Sequence, residues 1–137
     1  MILRPATEAD REFFWANRRD GFLPLVPDWE DPAMRAQADR EFDELPVQIV
    51  EERGERIGYL CVLDRGDHLW LDEIVLVEAA RGRGIGTALV EQVIADAEAR
   101  AVPVRLGVLE HNPARRLYER LGFRVVHVDP PRLRMER

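Results

Sequence analysis

Two apolar periods alternate along the chain. Met1 to Pro5 reads as a short strand, and Glu8 to Asp20 as a helix opened by Thr7, with Asp10 three positions on. From Gly21 to Pro46 the pattern is irregular, broken at Pro24, Pro27 and Pro32, with a turn at Trp29 to Pro32 leading into a helix over Ala33 to Glu44. Val47 to Glu52 and Arg56 to Leu63 flank Arg53-Gly54-Glu55, which predicts a hairpin. Leu69 to Val77 predicts a third central strand. Ile85, Leu89, Val93 and Ala97 mark one stripe of a helix from about Gly84 to Arg100. Pro103 to Val108 is a strand, and Asn112 caps a helix with Pro113 at its first position and Gly122 just past its end. Phe123 to Val128 and Arg132 to Glu136 close the chain as strands. The spacing predicts one α/β (α+β) domain over residues 1–137, with a mixed, largely antiparallel sheet of six to seven strands flanked by about four helices.

The stretch Ile74 to Leu89, IVLVEAARGRGIGTAL, joins the third central strand to the long helix. Gly82, Gly84 and Gly86 carry no Cβ, so their backbone amides can approach a ligand closely. A helix N-terminus adds unpaired N–H donors and a partial positive charge, a combination suited to phosphate or pyrophosphate, and Arg81 and Arg83 reinforce it. The dinucleotide fingerprint G-x-G-x-x-G fails because Thr87 stands where its third glycine belongs. The Walker A loop fails because the chain has no lysine.

Composition narrows the chemistry. Without serine or lysine, Ser-His-Asp hydrolysis and Schiff-base chemistry are excluded. His68, His111 and His127 are scattered and Cys61 is the one cysteine, so neither a zinc site nor an internal disulfide is expected. A net charge of −6 argues against nucleic acid as the main partner. No apolar run approaches the ~18 residues that would predict a membrane span, and a reducing cytoplasm is the expected compartment.

The pattern R-x-x-G-x-G, Arg81 to Gly86, resembles the coenzyme A pyrophosphate loop of the GNAT N-acetyltransferase superfamily. Asn112 to Phe123, NPARRLYERLGF, resembles the same superfamily's closing motif, and Ile2 to Asp10 resembles its opening. The resemblance leaves out only about Gly21 to Pro46, the segment that lines the acceptor side in the superfamily. It implies an acetyltransferase that moves acetyl from acetyl-CoA directly to a primary amine of a small molecule or peptide, with no metal and as a possible homodimer. A non-catalytic acyl-CoA sensor on the same fold is the alternative.

The resemblance also assigns roles. The loop from Arg81 through Gly82, Arg83, Gly84, Ile85 and Gly86 to Thr87 would hold the pyrophosphate. Backbone groups of Ile74, Val75 and Leu76 would pair with the pantetheine amides as an added strand does. Tyr118 would protonate the departing thiolate, though its place on the inward helix face also suits a core tyrosine. Asn112 would bond the pantetheine arm, beside its use as a helix cap; it precedes Tyr118 by six positions where many members have seven. Arg115 and Arg116 reach toward the 3′-phosphate or are solvated helix charges. For the base, Asp72 and Glu73 interrupt an apolar strand, where a carboxylate is costly unless paired or functional. Glu73 stands where some members carry a catalytic Glu. Pairing with an arginine, an open-facing carboxylate, and water relayed to Asp72 or Glu110 stay open.

Overall fold

The computed structural model describes all of residues 1–137. Seven strands, β1 (Ile2–Pro5), β2 (Val47–Glu52), β3 (Glu55–Asp64), β4 (Leu69–Leu76), β5 (Val104–Leu109), β6 (Arg124–Asp129) and β7 (Arg132–Glu136), form one sheet in the order β1-β2-β3-β4-β5-β7-β6. β4 and β5 run parallel, while β1–β2, β2–β3, β5–β7 and β6–β7 are antiparallel. The α-helices are α1 (Arg11–Phe22), α2 (Asp31–Glu44), α3 (Ile85–Ala99) and α4 (Ala114–Arg120). The sheet of seven strands and the four helices are those the sequence predicts. No helix is long and apolar enough to cross a membrane.

Contacts gather the chain into two compact units, Met1–Cys61 with Glu73–Arg81, and Val62–Asp72 with Gly82–Arg137. In the first, Phe14, Ala38, Val47, Ile49, Tyr59 and Val75 form the buried core. The Phe14 ring packs on Tyr59 at 4.6 Å and on Phe42 at 5.3 Å between centroids. The hairpin between β2 and β3 turns through Arg53 (φ 54°) and Gly54 (φ 78°), two consecutive left-handed residues of the kind that match strand twist. Gly58 in β3 lies so close to β4 that a Cβ there would stand 2.3 Å from the Val75 carbonyl oxygen. Before α1, Asp10 is buried and accepts from the Arg4 guanidinium at 2.7 and 3.0 Å and from the Thr7 N–H at 2.8 Å.

The interval expected to be irregular is shorter than its prolines suggest. A 3₁₀ turn over Glu8–Asp10 precedes α1, and α1 runs on through Gly21 to Phe22 because Phe22 still packs on the core. α2 opens at Asp31, with Pro32 in the first turn, where its missing N–H costs nothing. In the connection, Trp29 stacks on Trp15 with centroids 6.0 Å apart and planes 24° apart, and its Nε1–H donates to Asp31 Oδ1 at 2.6 Å.

In the second unit, Ile85, Leu89, Val90, Val93, Ile94 and Ala97 give α3 its buried stripe. β5 buries Val104, Leu106 and Val108 by strict alternation, and β7 adds Leu133 and Met135. Pairing of β4 with β5 covers Leu69↔Val104 and Trp70↔Arg105. Gly107 stands beside the Trp70 ring, 3.8 Å from where a Cβ would be.

Candidate functional site

The glycine loop adopts the backbone that its composition calls for. Gly82 (φ 72°) and Gly84 (φ 79°) are both left-handed, and a Cβ added at either would meet nothing within 4 Å. Gly84 is the N-cap of α3 and brings no side chain to cap the helix. The first helical bond is Ala88 N–H to the Gly84 carbonyl at 3.0 Å. The N–H groups of Ile85, Gly86 and Thr87 therefore have no acceptor within the helix, and those of Gly82 and Gly84 donate to nothing in the fold. Oriented donors with open space above them are what a diphosphate requires. The exposed Arg83 belongs to the same loop.

In the same unit, the Asn112 carboxamide oxygen accepts from the Ala114 N–H at 2.9 Å, although α4 opens one residue later than expected, at Ala114 with Pro113 in the N-cap position. α4 ends in a Schellman motif: Phe123 N–H bonds the Tyr118 carbonyl at 3.0 Å and Gly122 (φ 93°) N–H bonds that of Glu119 at 3.1 Å. This motif holds Tyr118 inward, its ring against Phe123 at 5.7 Å. Tyr118 is 6% exposed, and burial pushes its phenol up to about 12. Arg115 is engaged along its own helix with Glu119 at 2.7 Å.

In the first unit, the Val77 N–H donates to the Ile57 carbonyl at 2.9 Å and the Val75 carbonyl lies against Gly58, so both residues address β3. Ile74 and Leu76, one position out of phase, turn their backbone groups away from β3. The Leu76 carbonyl is met by Arg81 Nε at 3.1 Å, and Arg81 also reaches Asp20 at 3.5 Å.

Glu73 is buried and paired with an arginine, one of the alternatives open in the sequence. Arg18 Nη2 donates to Glu73 Oε1 at 2.5 Å and Arg18 Nε to Oε2 at 3.3 Å. The Tyr59 hydroxyl also donates to Oε2. Arg18 Nη1 bonds Glu41 Oε2 at 2.5 Å, and the guanidinium lies over the Phe14 ring, 5.0 Å from its centroid. Burial raises the Glu73 carboxyl above its ordinary range, against the downward pull of Arg18. Asp72, on the other face of β4, accepts from Trp70 Nε1 at 3.2 Å, and Glu110 is exposed. The sequence reading missed Arg18, Glu41 and Tyr59. Arg18 follows the core residue Phe14 by four positions and Glu41 follows the buried Ala38 by three, so both lie on inward helix faces where a charge implies a partner.

Fold and loop together define an α/β protein whose long helix opens on a glycine loop with exposed amides, and comparison with known proteins sharpens that class. Residues 8–123 match the Acetyltransferase (GNAT) family. The chain belongs to this family. Among solved structures it is similar to the PaiA N-acetyltransferase of Thermoplasma acidophilum in complex with coenzyme A, with a TM-score of 0.79 and 13% identity over 99% of this chain and 97% of that one. It is similar to YncA, a putative acetyltransferase of Salmonella typhimurium with its cofactor acetyl-CoA, with a TM-score of 0.67 and 22% identity over 100% and 92% of the two chains. The ribosomal-protein-alanine N-acetyltransferase of Brucella melitensis gives 0.66 and 24%, over 100% and 99%. No curated protein matches the chain.

Proposed function

We propose that the protein is an N-acetyltransferase, transferring acetyl from acetyl-CoA directly to a primary amine of a small molecule or peptide in a ternary complex. The observation that carries this reading is the set of open amides of Gly82, Gly84, Ile85, Gly86 and Thr87, with empty space where a Cβ would stand at Gly82 and Gly84. These donors, with Arg81 and Arg83, hold the pyrophosphate. The outward backbone groups of Ile74 and Leu76, beside Val75, receive the pantetheine arm, and Asn112 offers it the side-chain atoms left over from its bond to Ala114. The thioester supplies an activated carbonyl, so the chain needs no nucleophile of its own; Cys61, buried in β3, stays out of the chemistry. Tyr118 keeps its proton throughout the neutral range, as a general acid for a thiolate must. Glu73 is the proton acceptor for the amine. Three donors occupy its carboxylate, leaving one of about four lone-pair positions for an incoming N–H or a bridging water. A cytoplasmic location suits a chain with a single cysteine, which cannot form an internal disulfide.

The test is incubation of the purified protein with acetyl-CoA and an amine panel of polyamines, aminoglycosides and peptide N-termini, following free thiol. Thiol release that depends on one amine class is expected. Coenzyme A binding with no turnover on any amine would establish the sensor instead. Tyr118→Phe should lower kcat by about 10²–10⁴-fold with coenzyme affinity nearly unchanged; a collapse of affinity would make Tyr118 structural.

A further inference from the structure

We infer that Arg18 and Glu41 act as positioning residues for Glu73, supplying a shared counter-charge that lets this buried carboxylate take up and release a proton. The inference rests on Glu73 as the base. Its ground is the arrangement of one guanidinium between two carboxylates, each 2.5 Å away, on three different elements, α1, α2 and β4.

Arg18 and Glu73 are both nearly enclosed, with side chains 10% and 9% exposed, whereas Glu41 keeps 28% of its side chain in contact with solvent. An isolated buried ion pair makes a poor base. A proton arriving on its carboxylate would strand the cation in a medium that solvates it badly. Here that penalty is avoided. With Glu73 ionised, the three groups sum to −1; with Glu73 protonated, Arg18 keeps Glu41 as its partner and the sum is zero. The proton balance is simple: it leaves the ammonium of the acceptor, resides on a Glu73 oxygen while the amine reacts, and returns to solvent. Tyr59, the remaining titratable group facing Glu73, can turn its hydroxyl from donor to acceptor as that proton arrives. The Phe14 ring beneath the guanidinium fixes its plane, so the fork stays aimed at Glu73.

The titration of Glu73 tests this directly. Its side-chain carboxyl is followed by ¹³C NMR in glutamate-labelled protein, assigned by difference from Glu73→Gln, in the full chain without substrate. Glu41→Gln preserves an acceptor for Arg18 while removing the charge, and should move the Glu73 midpoint down by about one unit, because Arg18 then serves Glu73 alone. Arg18→Met should move it up by about one to three units. The acid limb of kcat/KM should follow in the same two directions, whereas a merely structural role would lower activity without moving the limb. A Glu73 midpoint that stays put or rises in Glu41→Gln overturns the inference. That variant decides the matter alone if Arg18→Met does not fold. Glu73→Gln separates the two readings: if it leaves kcat unchanged, Glu73 is not the base, while the carboxyl titration still reports on the shared counter-charge.

Discussion

Two buried carboxylates in one unit, both served by arginine, are driven in opposite directions. Asp10 receives the Arg4 guanidinium twice, the Thr7 N–H, and Arg56 at 3.3 Å, and these donors hold its carboxyl well below the usual range although burial opposes them. Glu73 has half a share of one guanidinium, and burial prevails. The consequences for stability have opposite signs. Asp10 stabilises the fold at pH values above its unfolded pKa near 4, and that contribution is lost as pH falls toward its depressed folded value. Glu73, raised, favours the fold below its unfolded value and loses that contribution as pH rises through the folded one. Asp10→Asn should therefore cost about 2 kcal/mol at pH 7 and flatten the acid side of the stability profile, as read by urea unfolding between pH 7 and 3. A variant as acid-sensitive as the parent would show that Asp10 does not anchor this corner.

At the scale of elements, glycine positions divide by what surrounds them. Gly84 needs its left-handed φ but has empty space where a side chain would go, so Gly84→Ala should cost only the conformational penalty of about 1–2 kcal/mol. Gly58 has the opposite problem. Its Cβ would collide with the Val75 carbonyl, a backbone atom, so Gly58→Ala must push β4 away from β3 and should cost more than Gly84→Ala in the same denaturation assay. Equal losses would mean that the strands part easily. Most elements were legible from local chemistry: the Arg53-Gly54 turn, the side-chain bond of Asn112 and the stop at Gly122 all depend on residues a few positions apart. The end of α1 was not, because Gly21 looks like a breaker in sequence and only the packing of Phe22 explains why the helix continues.

For the whole molecule, what sequence left unread is what distance hides. Arg18 and Glu73 are 55 positions apart and Tyr59 and Glu73 are 14 apart, and no period or spacing joins them. The glycine loop was readable because strand, loop and helix follow one another directly. Coenzyme A at 100 times its dissociation constant should stabilise the protein by about 2.7 kcal/mol. Gly84→Glu, which places an anion above the loop amides, should fold yet lose that gain in a thermal-shift assay; a retained gain would locate the coenzyme elsewhere. The stacked indoles of Trp15 and Trp29 have one further consequence. Two transition dipoles 6.0 Å apart are coupled and give an exciton couplet in circular dichroism. The connection from α1 to α2 thus carries its own chromophore, and the amplitude of that couplet reports whether the segment keeps its place when a ligand binds.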